Sequence, residues 1–323
     1  KNIRNKNVMV TGAGGSIGSE LCRQIARIGP KKLVLFEISE ASLYAIEQEL
    51  SNYSIDTEIY PILGNVTDKL RLREVCKAFS IETIYHAAAY KQVPMVEMNA
   101  IQSIENNIFG TLNCALSAID CEVETFVLVS TDKAVRPTNI MGATKRFAEL
   151  ILQALAKDRN KSNALKEINF TIVRFGNVLG SSSSVVPLFR EQIKKGGPVT
   201  VTDPEVVRYF MSIPEAAALV IQAGALGKGN EVFLLDMGEP IKIIDLAKKM
   251  IRLSGLEVFN HKTKEGDIEV TFTGLRDGEK LYEELLIGDN VSKTEHKQIF
   301  KAEEESMSWE EVAKLLNEFR EAI

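Results

Sequence analysis

Within Val129 to Arg146, "VSTDKAVRPTNIMGATKR", an aspartate and a lysine stand side by side at positions 132 and 133. Such a pair can hold one proton donor and one acceptor, each shifting the other's pKa. It follows the apolar run "TFVLVS", which reads as a strand. Parallel sheets gather ligands at the carboxyl ends of their strands. The alternative is that "TDKA" merely turns the chain, with Asp132 capping and Lys133 solvated. Met141 and Lys145 are four apart, so they share one face of a helix expected to begin near Gly142. A thioether neither gives nor takes a proton near neutral pH, so Met141 itself does no acid–base work. A methionine on a helix face is also an ordinary core residue.

A second group of residues speaks for a dinucleotide. "TGAGGSIG" places Gly12, Gly15 and Gly18 between an apolar strand and a helical pattern, with Ser16 and Ile17 inside the turn. Glycines there permit a tight turn and bring backbone N–H groups to a pyrophosphate at a helix N-terminus. Glu37 closes the next strand, 25 residues after Gly12 (37 − 12), near the offset of a ribose-binding carboxylate. A carboxylate repels the 2′-phosphate of NADP, so NAD is the expected cofactor. Ser39, with no arginine beside it, neither rescues nor excludes NADP. Ala87, Ala88 and Ala89 follow His86 at a strand end, where small side chains let a cofactor lie close. His86 reads as a packed strand-end residue.

The elements that must position these residues alternate. "NVMVT", "KLVLFE", "TEIYPIL", "TIYHAAA", "TFVLVS" and "FTIVRFGNVLG" are strands, with helical patterns between them. One of these helices runs from about Val96 to Ile119. The strands are apolar without alternation, as in a parallel sheet covered on both faces. The fold class is therefore α/β, a doubly wound parallel Rossmann sheet with a smaller, discontinuous domain. The expected division gives 1–176 to the nucleotide-binding domain, with 208–236 returning to it. It assigns 177–207 and 237–323 to the smaller one. Helices are expected at "IKIIDLAKKMIRL", "EKLYEELL" and "SWEEVAKLLNEFREAI".

Composition narrows the function class. The 323 residues are 45% hydrophobic and 26% charged, with a net charge of −5. No basic stripe suits nucleic acid, and no apolar run reaches membrane-spanning length. Four cysteines (Cys22, Cys76, Cys114, Cys121) make no metal-ligand spacing with the three histidines. They read as reduced thiols of a cytoplasmic protein. The chain starts at Lys1 rather than Met, as an excised portion of something longer would.

"TGAGGSIGSEL", "HAAAYKQVPMVE", "NNIFGT", "STDKAVRPTNIMGATKR", "RFGNVLGS", "VRYFMSIPEA" and "GLRDGEKLYEEL" together resemble the extended short-chain dehydrogenase/reductase family. Within it they are similar to the bacterial UDP-N-acetylglucosamine 4,6-dehydratase branch. That family's signature is Tyr-x-x-x-Lys; here Met141 stands in the tyrosine's place. Longer members carry N-terminal membrane segments, which implies a full-length form anchored to the inner membrane. The resemblance implies oxidation at sugar C4 by NAD, loss of water across C5–C6, and return of the hydride to C6. It assigns Asp132 to protonating the C6 leaving group and Lys133 to C5 proton transfer, with an exchange of roles left open. Thr131 takes a hydroxyl position near the C4 oxygen, and Lys145 binds the nicotinamide ribose.

By the same resemblance Lys91, Asn177, Arg208, Arg276 and Glu279 contact the UDP-sugar. Arginine's planar fork suits a diphosphate. Asn65 stands where many relatives carry Asp beside adenine ("GNV" rather than "GDV"), and an amide still bonds adenine. Asn107, a poor helix former, is expected near the nicotinamide. Val66 and Val178 complete the expected cofactor contacts, and no metal is expected. The substrate implied is UDP-N-acetylglucosamine, the assembly a homodimer or larger homo-oligomer, and the setting surface-glycan or protein-glycosylation chemistry. The branch tilts the C5 outcome toward retention. The rivals are a UDP-sugar C4 epimerase, which would leave C6 untouched, and an NAD-binding regulator that lost its tyrosine.

Overall fold

A computed structural model describes residues 1–54, 56–161, 168–182, 184–284 and 291–323. Six strands come first: β1 (Asn7–Thr11), β2 (Lys32–Glu37), β3 (Glu58–Leu63), β4 (Thr83–His86), β5 (Thr125–Val129) and β6 (Asn169–Arg174). They form the parallel part of a nine-stranded sheet, in the spatial order β6-β5-β4-β1-β2-β3. The strand Glu231–Leu235 adds beside β6 in parallel, and Ile299–Ala302 and Val291–Lys293 extend that edge antiparallel. The order reverses between β1 and β4, the crevice where such sheets bind nucleotides.

Period-two side-chain placement explains the unbroken apolar strands. Met9, Val34, Phe36, Ile84, Phe126, Leu128 and Ile172 bury one face of the sheet; Val8, Val10, Leu33, Leu35, Val127 and Val173 bury the other. The first face is covered by helices Lys69–Ala78, Gly110–Asp120, Ile140–Lys161 and Trp309–Ala322. The second is covered by Ser16–Ile28, Glu40–Ser51 and Ile213–Leu226. Each fully buried aliphatic or phenyl side chain contributes roughly 1.5–3 kcal/mol, so both layers are strongly held. A third, smaller core joins Phe189 and Ile193 of helix Val185–Lys194 to Val199, Val201, Ile268, and Ile243, Ala247 and Ile251 of helix Ile243–Leu253.

Three details differ from the sequence reading. The segment 237–323 does not stay whole with the smaller core. Its strands at 291–293 and 299–302 finish the large sheet, and Phe319 of the last helix meets Phe147 edge-on at 5.1 Å between ring centres. The helix expected over Val96–Ile119 is broken at Asn99 (φ −134°, ψ 50°) and widens into a π-helical turn over Ile104–Phe109 before resuming at Gly110. No helix occurs at 279–284, where "EKLYEELL" suggested one; positions 285 and 286 lie outside the described residues. No helix among the described residues is long and apolar enough to cross a membrane.

Candidate active site

The chain leaves β5 through Ser130 and Thr131 and tightens into a short 3-10 turn, Asp132–Ala134. The Thr131 hydroxyl donates to Asp132 Oδ1 at 2.8 Å, and Lys133 Nζ donates to the same oxygen at 3.0 Å. Asp132 is 1% exposed, so this is a buried contact rather than a solvated turn. Lys133 Nζ reaches two further acceptors, Asn177 Oδ1 at 3.2 Å and Glu283 Oε1 at 3.4 Å. Burial lowers the Lys133 pKa, but the Asp132 and Glu283 carboxylates outweigh it and hold the ammonium above the ordinary lysine value; Arg208 opposes them only in part.

The helix Ile140–Lys161 packs against this turn without a gap. A Cβ on Gly142 would stand 2.2 Å from the Lys133 carbonyl oxygen, so only glycine admits that approach. Asn139 Oδ1 and the Glu97 carboxylate take the helix's first N–H groups, at Gly142 (2.8 Å) and Ile140 (2.6 Å). Met141, in the first turn, is buried at 3% exposure. One turn on, Lys145 is also buried and donates to the Val129 carbonyl at 2.7 Å. Burial pulls its pKa down to about 8, against the pull of Glu149 upward.

Asn107 sits in the π-helical turn and uses its whole amide. Its Oδ1 accepts the Tyr90 N–H (2.8 Å), and its Nδ2 donates to the Tyr90 carbonyl (3.0 Å) and the Thr144 hydroxyl (3.0 Å). It therefore ties the loop after β4, which carries Ala87–Ala89, to the helix carrying Lys145. His86 is sandwiched between the hydroxyls of Thr11 and Thr111 at 2.7 and 3.1 Å. Burial and the nearby Lys145 drop its pKa to about 3, so it is a neutral packing residue, as its sequence context suggested.

The glycine turn lies across the crevice. A Cβ on Gly18 would fall 1.9 Å from the Gly12 carbonyl, which explains the close helix–strand contact. Gly15 opens the helix with no side-chain cap; its own N–H donates to the Gly12 carbonyl at 3.0 Å, and the N–H groups of the first helical turn have no intrahelical acceptor. Ser16 Oγ accepts the Ser182 N–H at 3.2 Å, and Ile17 is half-buried on the same first turn. Glu37 accepts three N–H groups: Gly14 on Oε2, and Ile38 and Ser39 on Oε1. Ser39 caps the next helix, accepting from Ser42 N–H. Asn65 Oδ1 is turned back onto the Thr67 N–H (3.0 Å), and Val66 is buried against Gly110. Val178 is half-buried in the short strand Asn177–Leu179.

The polar residues expected around a diphosphate divide. Asn177 bonds Lys133 instead of standing apart from it. Arg208 is 7% exposed and donates to the carbonyls of Val207 (2.8 Å) and Leu281 (3.2 Å) and to Glu279 Oε1 (3.3 Å). Glu279 also accepts from Thr202 Oγ1 at 3.0 Å. Arg276 and Glu279 are not in a helix but close a turn: the Arg276 N–H donates to the Glu279 carboxylate at 3.2 Å and the Glu279 N–H to the Arg276 carbonyl at 3.0 Å. The side chains of Arg276 and Lys91 are exposed. Sequence reasoning gave Glu283 no role, though it lies inside a quoted motif and directly touches Lys133.

The chain matches the family model described as "polysaccharide biosynthesis protein" over residues 8–304. It is 55% identical over 287 residues to the capsular polysaccharide biosynthesis protein CapD of Staphylococcus aureus, covering 88% of this chain and 46% of that protein. It is 50% identical over 299 residues to the probable polysaccharide biosynthesis protein EpsC of Bacillus subtilis, covering 92% and 47%. The chain thus spans about half the length of these relatives. It is also 32% identical to a UDP-glucose 4-epimerase of Rickettsia rickettsii, over 90% of this chain and 80% of that one. Among solved structures, Pen from Bacillus thuringiensis superposes with a TM-score of 0.83 at 30% identity, covering 98% of this chain and 99% of the other. The fold is the extended short-chain dehydrogenase/reductase Rossmann fold, and with a family match over residues 8–304, the chain belongs to the polysaccharide biosynthesis protein family.

Proposed function

We propose that the chain is a UDP-N-acetylglucosamine 4,6-dehydratase, giving a UDP-2-acetamido-2,6-dideoxy-4-keto-hexose. The observation that carries this reading is the buried Asp132–Lys133 contact at the end of β5, against which the helix carrying Met141 and Lys145 packs at Gly142. Elimination across C5–C6 needs one group to take a proton and another to give one, and this pair holds both. A C4 epimerase has no use for a second proton pair at C6. The Rickettsia epimerase relative favours that rival, but Met141 removes the tyrosine on which such epimerases depend.

The residues fit NAD. The uncapped N–H groups of the first helical turn after Gly15 would meet a pyrophosphate, and the Gly12–Gly18 contact brings the helix start close. Glu37 has three of about four acceptor sites filled, leaving one for a ribose hydroxyl. NAD, when bound, supplies the acceptor that takes hydride from sugar C4 and returns it to C6. Lys145, positioned by the Val129 carbonyl, would meet the nicotinamide ribose. Thr131 would lie beside the C4 oxygen, and Arg208 and Glu279 would hold the UDP portion.

The test is incubation with UDP-N-acetylglucosamine in deuterated water, followed by proton NMR. The expected result is a new C6 methyl signal with deuterium at C5, whose couplings report retention, as the Met-bearing branch implies. A changed C4 configuration without a methyl would establish the epimerase. Binding shifts without turnover would establish the regulator.

A further inference from the structure

Glu283 is the buried carboxylate that the dehydratase reading leaves without a task. Its side chain is 4% exposed. Oε1 lies 3.4 Å from Lys133 Nζ and 3.9 Å from Arg208 Nε, and Oε2 is buried with no hydrogen-bond partner among the described residues. Leaving a buried acceptor unmade is costly, and more so for a charged group.

Glu283 arrives on a segment docked at several points to the turn it serves. The Gly278 carbonyl accepts from Thr138 Oγ1 (3.0 Å) and Asn139 Nδ2 (3.1 Å), and Lys280 Nζ donates to the Val135 carbonyl (2.9 Å). The charged groups facing Lys133 are Asp132, Glu283 and, farther off, Arg208; those facing Glu283 are Lys133 and Arg208. Arg208 has committed its Nη1 and Nη2 donors to Val207, Leu281 and Glu279, so the shorter contact of Glu283 is with Lys133.

Asp132 and Lys133 can divide one proton in two ways. Either Asp132 is the acid and Lys133 a neutral amine, or Asp132 is a carboxylate and Lys133 an ammonium. A second carboxylate beside Nζ stabilises the ammonium and does nothing for the amine. We propose that Glu283 is a positioning residue that fixes the direction of proton transfer. It holds the proton on Lys133, so Lys133 gives it to the departing C6 oxygen and Asp132 takes the C5 proton.

The step balances. The C5–H bond breaks, its proton goes to Asp132, and its electron pair becomes the C5–C6 π bond. The C6–O bond breaks, and the oxygen leaves as water with the Lys133 proton. Asp132 then returns a proton to C5 once C6 has regained hydrogen, and the proton released by the C4 hydroxyl restores Lys133.

This inference rests on the dehydratase reading, so the experiment separates the two. Wild type, Glu283→Gln and Glu283→Asp are compared with UDP-N-acetylglucosamine from pH 6 upward, past the ordinary lysine pKa, until the wild-type alkaline limb is seen. Readouts are methyl product, the 340 nm transient of C4 oxidation, and UDP-sugar binding. For Glu283→Gln we expect binding and the 340 nm rise to persist, with product formation falling at least roughly tenfold. Loss of the negative charge lowers the Lys133 pKa, so the alkaline limb of kcat moves to lower pH. Glu283→Asp, whose shorter side chain withdraws the carboxylate from Nζ, moves the limb the same way by less. It carries the test alone if the glutamine variant does not fold. An unchanged pH profile overturns the proposal, even if kcat falls, and so does a limb that moves up. A wild type that makes no methyl product overturns the dehydratase reading and this inference with it.

Discussion

Arg174→Met removes a guanidinium buried between two carboxylates. Nε donates to Glu149 Oε1 at 2.8 Å, Nη2 to Glu149 Oε2 and to Glu304 Oε2 (2.7 Å), and Nη1 to Glu304 Oε1. Arg146 spans the same two carboxylates at 3.0 Å each, and the Ser130 hydroxyl donates to Glu149 at 2.6 Å. Methionine keeps much of the stem but leaves two buried carboxylates facing one cation. Removing one partner of a buried ion pair costs roughly 3–5 kcal/mol. The surviving Arg146 favours the lower part of that range, about 3–4 kcal/mol.

At about 2.1 cal/mol/K per residue, a chain of 323 residues has an unfolding entropy near 0.7 kcal/mol/K, so Tm falls by about 4–6 °C. The pH dependence gives a second, sharper reading. In the native protein burial raises the Glu149 pKa, but Arg174 and Arg146 hold it below the ordinary glutamate value. Its contribution is therefore present above the unfolded pKa and lost as pH falls. Without Arg174 burial dominates and the folded pKa rises above the unfolded one, so the variant is relieved by acid. Urea denaturation at pH 8 and pH 5.5 should show the deficit of Arg174→Met shrinking at the lower pH. The double variant Arg174→Met/Glu149→Gln should cost less than Arg174→Met alone. A cost under about 1 kcal/mol at pH 8, or a deficit independent of pH, would refute the reasoning.

Gly142→Ala drives a methyl to 2.2 Å from the Lys133 carbonyl; displacing that turn should cut methyl-product formation roughly 100-fold, while circular dichroism shows an intact fold. Gly18→Ala places a Cβ 1.9 Å from the Gly12 carbonyl, so titration should find NAD affinity at least tenfold weaker, about 1.4 kcal/mol; unchanged affinity would detach the turn from the cofactor. Lys145 has its pKa drawn from 10.5 to about 8 by burial. The unfolded chain binds that proton more tightly, so stability from this group rises between pH 8 and 10.5 by roughly 3 kcal/mol. Lys145→Met should abolish that rise, seen as a flatter pH dependence of urea midpoints relative to wild type.

The parallel sheet and the crevice where its order reverses were legible because their signals are local. Strand–turn–helix units, the glycine spacing and the Asp132–Lys133 pair each occupy a dozen residues or fewer. Asn107 betrayed itself as a poor helix former, and the π-helical turn explains it: the widened helix frees an amide to pin Tyr90 and Thr144. What the sequence hid depends on distant pairing. Ile299–Ala302 is four residues long, and its pairing with the distant Glu231–Leu235 and with Val291–Lys293 makes it a sheet strand. "EKLYEELL" has good helix formers, yet its carbonyls and side chains are recruited by Arg208, Val135 and Lys133, and this tertiary demand overrides propensity. Glu283 went unassigned for that reason, since nothing in the spacing of "LYEEL" says which partner it meets.

The bonds between Arg174 and Glu304 join residues 130 apart in sequence. On a ribosome adding about 5–20 residues per second, the arginine waits about 7–26 s for that carboxylate to be made. For the first part of that time β6 is the sheet's open margin, until Glu231–Leu235 is made; Ile299–Ala302 follows only near the end. Glu149, already synthesised in the preceding helix, can neutralise the arginine in the interval. The nascent nucleotide-binding half thus carries a temporary counter-ion of its own, and the last strands to emerge complete a charge cluster rather than having to start one.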